Sequence, residues 1–241
     1  MVTYSVTDIG RNRTINQDYV LCEENAVGNL PNLFLVADGM GGHNGGDFAS
    51  HFCVEMVRQM VEDSTETAVV PLLKEAIRTT NIRLREKAEE RPELAGMGTT
   101  IVAATIIGDV LHVANVGDSR LYIHKGDKLR QITEDHSLVE AMVRNGELNR
   151  EEARIHPNKN IITRAMGGHP EVEVDFFEVM LEKEEKILMC SDGLSNMVED
   201  EEMEQVLTRY QDDLEGAAGE LVRLANDYGG RDNISVIIIR P

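Results

Sequence analysis

The order of apolar segments predicts an α+β protein of mainly antiparallel sheets packed face to face, with helices outside. Strand-like segments occupy the start, middle and end of the 241-residue chain, and two pairs of helix-like segments interrupt them. Turn chemistry at Gly108-Asp109 and Lys125-Gly126-Asp127 joins hairpin partners in the middle run. The strict strand–helix alternation of a parallel α/β fold is absent.

Residues 2–7 and 18–24 read as two strands around a turn at Asp8–Arg13. Residues 33–37 are continuously apolar, as in a strand covered on both faces. A helix follows over 46–62, where Phe52, Cys53, Met56, Val57, Met60 and Val61 recur at helical spacing. A second begins near Pro71, a favoured first-turn residue, and turns Leu72, Leu73, Ala76, Ile77, Thr80 and Leu84 inward. Strands are expected over 99–107, 110–116, 119–124 and 128–132, then at 161–165, 172–180, 186–191 and 233–239. Between them lie short polar helices over 137–155 and helices at 199–210 and 213–227. There is no internal repeat, low-complexity tract or Pro/Gly linker, so one domain over 1–241 is expected.

The charge narrows the partners. Forty-three acidic residues against 24 basic ones give a formal net charge of -19. Nucleic acid is therefore not an expected partner, since binding it needs a basic footprint. An anionic membrane surface is disfavoured for the same reason. No apolar run approaches the roughly 20 residues of a membrane span, and the N-terminus lacks a signal-peptide pattern. The three cysteines, Cys22, Cys53 and Cys190, are scattered and suggest neither a disulfide framework nor a zinc ribbon. A reducing, cytoplasmic setting is expected. A monomer is also expected, because no exposed apolar heptad or long greasy edge stands out.

The functional signal is a repeated local pattern. Leu33–Val36 runs into Asp38, Val113–Val116 into Asp118, and Ile187–Cys190 into Asp192. Asp232 stands just before the apolar run 234–239. A carboxylate at the mouth of a buried strand is costly unless a cation compensates it. Several of them, each with glycine nearby, suggest ligands converging on hard divalent ions such as Mg2+ or Mn2+. A metal-dependent enzyme acting on phosphate is the reading that follows.

Eight motifs extend the pattern: Gly10–Arg13 with Asn16–Asp18, Ala37–His43, Gly98–Thr100, Val116–Arg120, Thr133–Ser137, Arg164–Gly167, Cys190–Leu194 and Gly229–Asn233. In this order, along essentially the whole chain, they resemble the bacterial type 2C (PPM family) metal-dependent Ser/Thr protein phosphatases. The resemblance implies a four-layer α-β-β-α sandwich with a small helical flap over about 137–165. It implies two Mn2+ or Mg2+ ions and a weaker third. By it, Asp38 bridges two ions, the Gly39 carbonyl helps hold the first, and Asp192 and Asp232 hold the second. Asp18 supports the cluster through bound water, and Asp118 with Asp192 matches the third site. Arg13 matches the arginine that grips the substrate phosphate, a task for a guanidinium that forks two oxygens. The implied reaction is hydrolysis of phosphoserine and phosphothreonine in proteins by a metal-bridging water, opposing a Ser/Thr kinase. No covalent phospho-enzyme is needed in such a mechanism.

One departure concerns the general acid. Eukaryotic relatives carry a histidine directly after the metal-binding Asp-Gly pair; here that residue is Met40, which cannot donate a proton. His43, three residues on, reads either as the proton donor or as a structural histidine closing the glycine loop. Metal-bound water is the alternative proton source. Asp8 reads as a turn residue, Thr99, Thr100 and Asn233 as braces near the metals, and Arg120 and His136 as partners of internal hydrogen bonds or ion pairs. In the flap, His156 and Arg164 are candidates for substrate choice. Three rivals remain: an inactive phosphatase-like regulator, a phosphoprotein reader, and a phosphatase for small phosphate esters.

Overall fold

The computed structural model describes residues 1–41 and 45–241. His43 lies outside the described residues. The chain opens with β1 (Val2–Asp8), β2 (Asp18–Glu23) and β3 (Leu33–Met40), followed by α1 (Gly45–Glu62) and α2 (Val69–Glu90). A 3-10 turn (Pro92–Leu94) leads to β4 (Gly98–Thr99), β5 (Ile101–Ile107), β6 (Val110–Val116), β7 (Arg120–Lys125) and β8 (Lys128–Gln131). Helices α3 (Leu138–Arg144) and α4 (Arg150–Ile155) form the flap. Then come β9 (Asp175–Met180), β10 (Lys186–Cys190), α5 (Asp192–Ser195), α6 (Asp200–Tyr210), α7 (Leu214–Asp227) and β11 (Ile234–Arg240).

Two antiparallel sheets result. One runs β1-β11-β10-β7-β8; the other runs β2-β3-β5-β6-β9, with β4 paired to β3. The continuously apolar strands are explained by where their alternate faces go. In β3, Leu33, Leu35 and Ala37 pack toward α1 and α2, whereas Phe34 and Val36 enter the layer between the sheets. In β11, Ile234, Val236 and Ile238 face α6 and α7, and Ile237 and Ile239 face the other sheet. Every one of these residues is fully buried, at about 1.5–3 kcal/mol per large aliphatic side chain. Three parallel cores therefore stack between four layers, the α-β-β-α sandwich that the resemblance implies.

The helices sit where periodicity places them. Ala217, Ala218, Leu221, Val222 and Ala225 of α7 are buried, and the Asp213 side chain caps the helix by accepting from the Gly216 N–H at 2.9 Å. In the flap, Asn149 and Glu152 form a reciprocal capping box, both bonds 2.8 Å. An ion pair from Arg150 to Glu140 ties α4 to α3.

Several elements differ from expectation. Strands β1 and β2 belong to opposite sheets, so the turn between them carries Arg13 from one sheet to the other. The strand expected at 99–107 breaks at Thr100, whose N–H donates to the Asp38 carbonyl at 2.9 Å. No strand forms over 161–165; Ile162 and Met166 make only isolated bridges, to Ser137 and Thr99. The strand expected at 172–180 begins at Asp175, and α5 was not anticipated because its 4 residues are too few for a periodic signal.

The inter-sheet layer sets the global stability. Phe34→Ala, at a fully buried position, is expected to cost about 3–5 kcal/mol, read as a lower denaturant midpoint with an unchanged slope.

Candidate active site

The aspartates singled out by sequence converge at one end of the sandwich. Asp18 opens β2 and faces Asp38 across the β2–β3 ladder. Asp118 lies between β6 and β7, Asp192 directly follows β10 and its Ser191, and Asp232 precedes β11. The two sheets thus bring their acidic ends together. Asp18 and Asp118 are each only 6% exposed.

Their electrostatics show the cost of that placement. Burial, opposed by hydrogen bonds from Ser191 and Ser235 and reinforced by Asp192 and Asp232, pushes the Asp18 carboxyl up to about 7. Burial, then the neighbouring Asp18, Asp192, Asp118 and Asp232, raises Asp38. Asp118 is raised by burial and next by Asp192, and Asp192 by burial and next by Asp232.

Oxygens remain to be satisfied. Asp18 Oδ2 accepts from Ser191 Oγ at 2.6 Å, and Asp192 Oδ2 accepts from Asn196 Nδ2 at 2.9 Å. Asp18 Oδ1, Asp118 Oδ1 and Asp192 Oδ1 are buried without any partner. Orphaned carboxylate oxygens in an all-oxygen donor set fit a hard divalent cation and not zinc or copper. The side chains are not already closed around one point, since no group of three or more His, Cys, Asp or Glu forms a metal shell among the described residues. Asp232 shows why: its Oδ2 accepts from Arg13 Nη2 at 2.7 Å, and its Oδ1 from the Asn233 N–H at 2.9 Å.

A scaffold of hydrogen bonds fixes these positions. Asn233 donates to the Ile9 and Ile15 carbonyls at 2.9 and 3.0 Å and accepts from the Gln17 N–H at 2.8 Å. It thereby fastens the Arg13 loop to the Asp232 loop. Ser191 Oγ, besides holding Asp18, accepts from the Ser235 N–H at 2.9 Å. Thr100 Oγ1 accepts from the Asp38 N–H at 2.9 Å and contacts Ser119 Oγ at 2.7 Å; Thr99 Oγ1 donates to the Asp38 carbonyl at 2.8 Å. Two glycines are required by crowding: a Cβ on Gly39 would overlap the Gly46 carbonyl oxygen, and one on Gly193 the Asn233 carbonyl oxygen.

The loop of Asp118 is braced from the flap side. His136 Nδ1 accepts from the Gly117 N–H at 3.0 Å, which leaves Nε2 to donate to Asp175 Oδ2 at 3.0 Å. Arg164 donates to Asp175 at 2.7 Å and lies 3.4 Å from Glu173. Arg164, a candidate for substrate choice, is thus engaged in this brace. His156 accepts from the Asn158 N–H at 3.1 Å and shapes the end of α4. Arg120 forks Asp135 at 3.0 and 2.7 Å and donates to Tyr122 at 2.9 Å, the internal role expected of it. Asp8 accepts from the Gly10 N–H at 2.8 Å, the turn role expected of it.

Sequence reasoning assigned no role to Ser191, Asn196, Asp135 or Asp175. The first three sit in or beside quoted motifs. Asp175 lies 39 residues from His136, and no local pattern links them. Between the flap and α5–α6 lies a cavity of about 550 Å³, with Asp118 and Asp192 on one wall and Arg150, Arg154 and Lys159 of the flap on another.

The Protein phosphatase 2C family model matches residues 9–225. The chain is 43% identical to the serine/threonine phosphatase stp of Listeria welshimeri over 237 residues, covering 97% of this chain and 93% of that protein. It is 37% identical to the protein phosphatase PhpP of Streptococcus pneumoniae, again over 97% of this chain and 95% of that one. Among solved structures, Stp1 of Staphylococcus aureus superposes with a TM-score of 0.90 at 33% identity, covering 99% of this chain and 94% of that one. The catalytic domain of PstP, solved in complex with two manganese ions, gives 0.85 at 32% identity, covering 98% and 96%. The chain belongs to the protein phosphatase 2C family.

The raised carboxyls make a pH prediction for the metal-free protein. Folded Asp18 keeps its proton up to about 7, against an ordinary value of 3.8, so the folded state binds more protons between these limits. Stability in EDTA is therefore expected to fall as pH rises from about 4 to about 7. Saturating Mn2+, binding the folded state only, is expected to raise the melting temperature most at the upper end of that window. Melting curves at several pH values, with Mn2+ or EDTA, measure both.

Proposed function

We propose that this protein is a metal-dependent phosphatase that hydrolyses phosphoserine and phosphothreonine in proteins. The observation that carries this reading is the convergence of five aspartates from both sheets, three of them with buried, unpartnered oxygens. Asp38, the Gly39 carbonyl, Asp192 and Asp232 would hold two Mg2+ or Mn2+ ions, with Asp18 in support. Asp118 and Asp192 would hold a weaker third. When bound, such ions activate water for attack on phosphorus and neutralise the charge on the phosphate oxygens.

The residues of the chain then have distinct tasks. Ser191 and Asn196 each hold one oxygen of a carboxylate and leave the other for the ion, the orienting role that partners of metal ligands play. Arg13, with a side chain 47% exposed and paired with Asp232 at 2.7 Å, would hold the substrate phosphate. Its planar fork positions two phosphate oxygens at once. Met40 cannot protonate the departing serine or threonine oxygen, so His43 or solvent water supplies that proton. The opposing enzyme is a Ser/Thr kinase, and the protein acts as a monomer in the cytoplasm. No helix among the described residues is long and apolar enough to cross a membrane.

The test is phosphate release from a phosphothreonine peptide with Mn2+ or EDTA. Turnover should require metal. Asp192→Ala should lose at least about 100-fold in kcat/KM, because even the partners of metal ligands are worth 10–100-fold. Arg13→Lys should lose about tenfold, mainly in KM, because one of two charge-assisted bonds disappears. Tight binding of the peptide without turnover under any metal would favour a reader. Faster turnover of small phosphate esters than of peptides would favour a metabolite phosphatase.

A further inference from the structure

The loops that carry Arg13 and Asp232 are fused. Arg11 N–H and Asn12 N–H both donate to the Gly230 carbonyl, at 2.7 and 3.0 Å. The fusion places Arg11, Arg13 and Arg231 side by side next to Asp232. Arg11 and Arg231 are exposed, and neither side chain has an ion pair or hydrogen bond among the described residues. The acids of neighbouring elements are already engaged: Asp8 accepts from Gly10 and from Asn226 Nδ2 at 3.0 Å, and Asp227 pairs with Arg223. Across the cleft, half-buried Lys159 lines the cavity beside Asp118 and Asp192 with no acid in ion-pair reach.

This placement is unusual for a chain of net charge -19 with 24 basic residues. Most of these pair with acids, and two more lie over aromatic rings. The side chains of Lys74, Lys128, Arg130 and Lys183, also without partners, are scattered over α2, β8 and the turn before β10. Arg11 and Arg231 instead stand on the fused loops beside Asp232, and Lys159 lines the cavity that Asp118 and Asp192 share. Unpaired cations left exposed on an acidic protein, with their neighbouring acids occupied, are free to meet an anionic ligand.

We propose that Arg11 and Arg231, with Lys159 across the cleft, form a cationic collar that selects phosphosites flanked by aspartate or glutamate. The proposal rests on the phosphatase reading of the cleft. The collar reaches the residues beside the phosphorylated one, while Arg13 serves the phosphate itself.

Phosphothreonine peptides with Glu, Ala or Lys flanks provide the test, with the ratio of kcat/KM values read within each enzyme so that any general loss of activity cancels. The wild type is expected to prefer the Glu-flanked over the Ala-flanked peptide by about five- to tenfold, as for two exposed charge pairs. High salt should shrink that ratio. In Arg11→Gln/Arg231→Gln/Lys159→Gln it should fall to about one, and in Arg11→Glu/Arg231→Glu/Lys159→Glu the Lys-flanked peptide should lead. Equal treatment by the wild type, a Lys-flanked preference in the wild type, or a Glu preference that survives in the Gln triple variant overturns the proposal. If the wild type turns over no peptide with Mn2+, the phosphatase reading fails separately. Anisotropy of the same labelled peptides then decides the collar by the same ratios.

Discussion

Mutual repulsion among Asp18, Asp38, Asp118, Asp192 and Asp232 organises the rest of the molecule. Two like charges about 4 Å apart repel by about 4 kcal/mol at an effective dielectric near 20, and burial adds to that cost. Such a cluster forms only where the backbone leaves no choice. Here Asp38, Asp118 and Asp192 are anchored at strand ends beside fully buried residues such as Ala37, Val116 and Ser191, so these side chains cannot retreat without unpacking a core layer. The sandwich supplies the force that holds like charges together, and burial first, with the charges of Asp192 and Asp232 behind it, lets Asp18 retain its proton up to about 7.

Around the cluster, two carboxylates, Asp18 and Asp192, are each held by one oxygen and present the other. Ser191 holds Asp18 and Asn196 holds Asp192, and in both the second oxygen is left alone. Full satisfaction of every oxygen would leave nothing for an ion to gain. A buried oxygen without a partner is destabilising by itself, at about 1–3 kcal/mol. Preorganised in this way, the protein offers a binding ion more than a flexible set of acids would, because little ordering remains to be done at the moment of binding.

Much of this was legible in the sequence because it is local. An apolar run ending in aspartate can be seen in five or six residues, and the helices α1, α2 and α7 follow from spacing alone. What was not legible depends on distance or on small size. The brace from His136 to Asp175 and Arg164 joins two quoted motifs to the start of β9, and no local pattern links them. The break at Thr100 arises because its N–H and hydroxyl both serve Asp38, a tertiary demand that overrides an otherwise continuous strand pattern. The segment 161–165 has strand-like residues but no ladder to join, since it crosses the root of the flap.

The Arg13–Asp232 pair joins these themes. In the sequence the two residues have separate expected tasks, one for phosphate and one for metal, and lie 219 positions apart. In the structure they neutralise each other at 2.7 Å while the Asn233 amide holds their two loops in register. An exposed ion pair of this kind is worth little, typically below about 1 kcal/mol, so it is easily exchanged. On the proposed phosphatase reading, a cation held by Asp232 would compete with the guanidinium of Arg13 for the same carboxylate. Metal occupancy and phosphate affinity would then be coupled through one side chain.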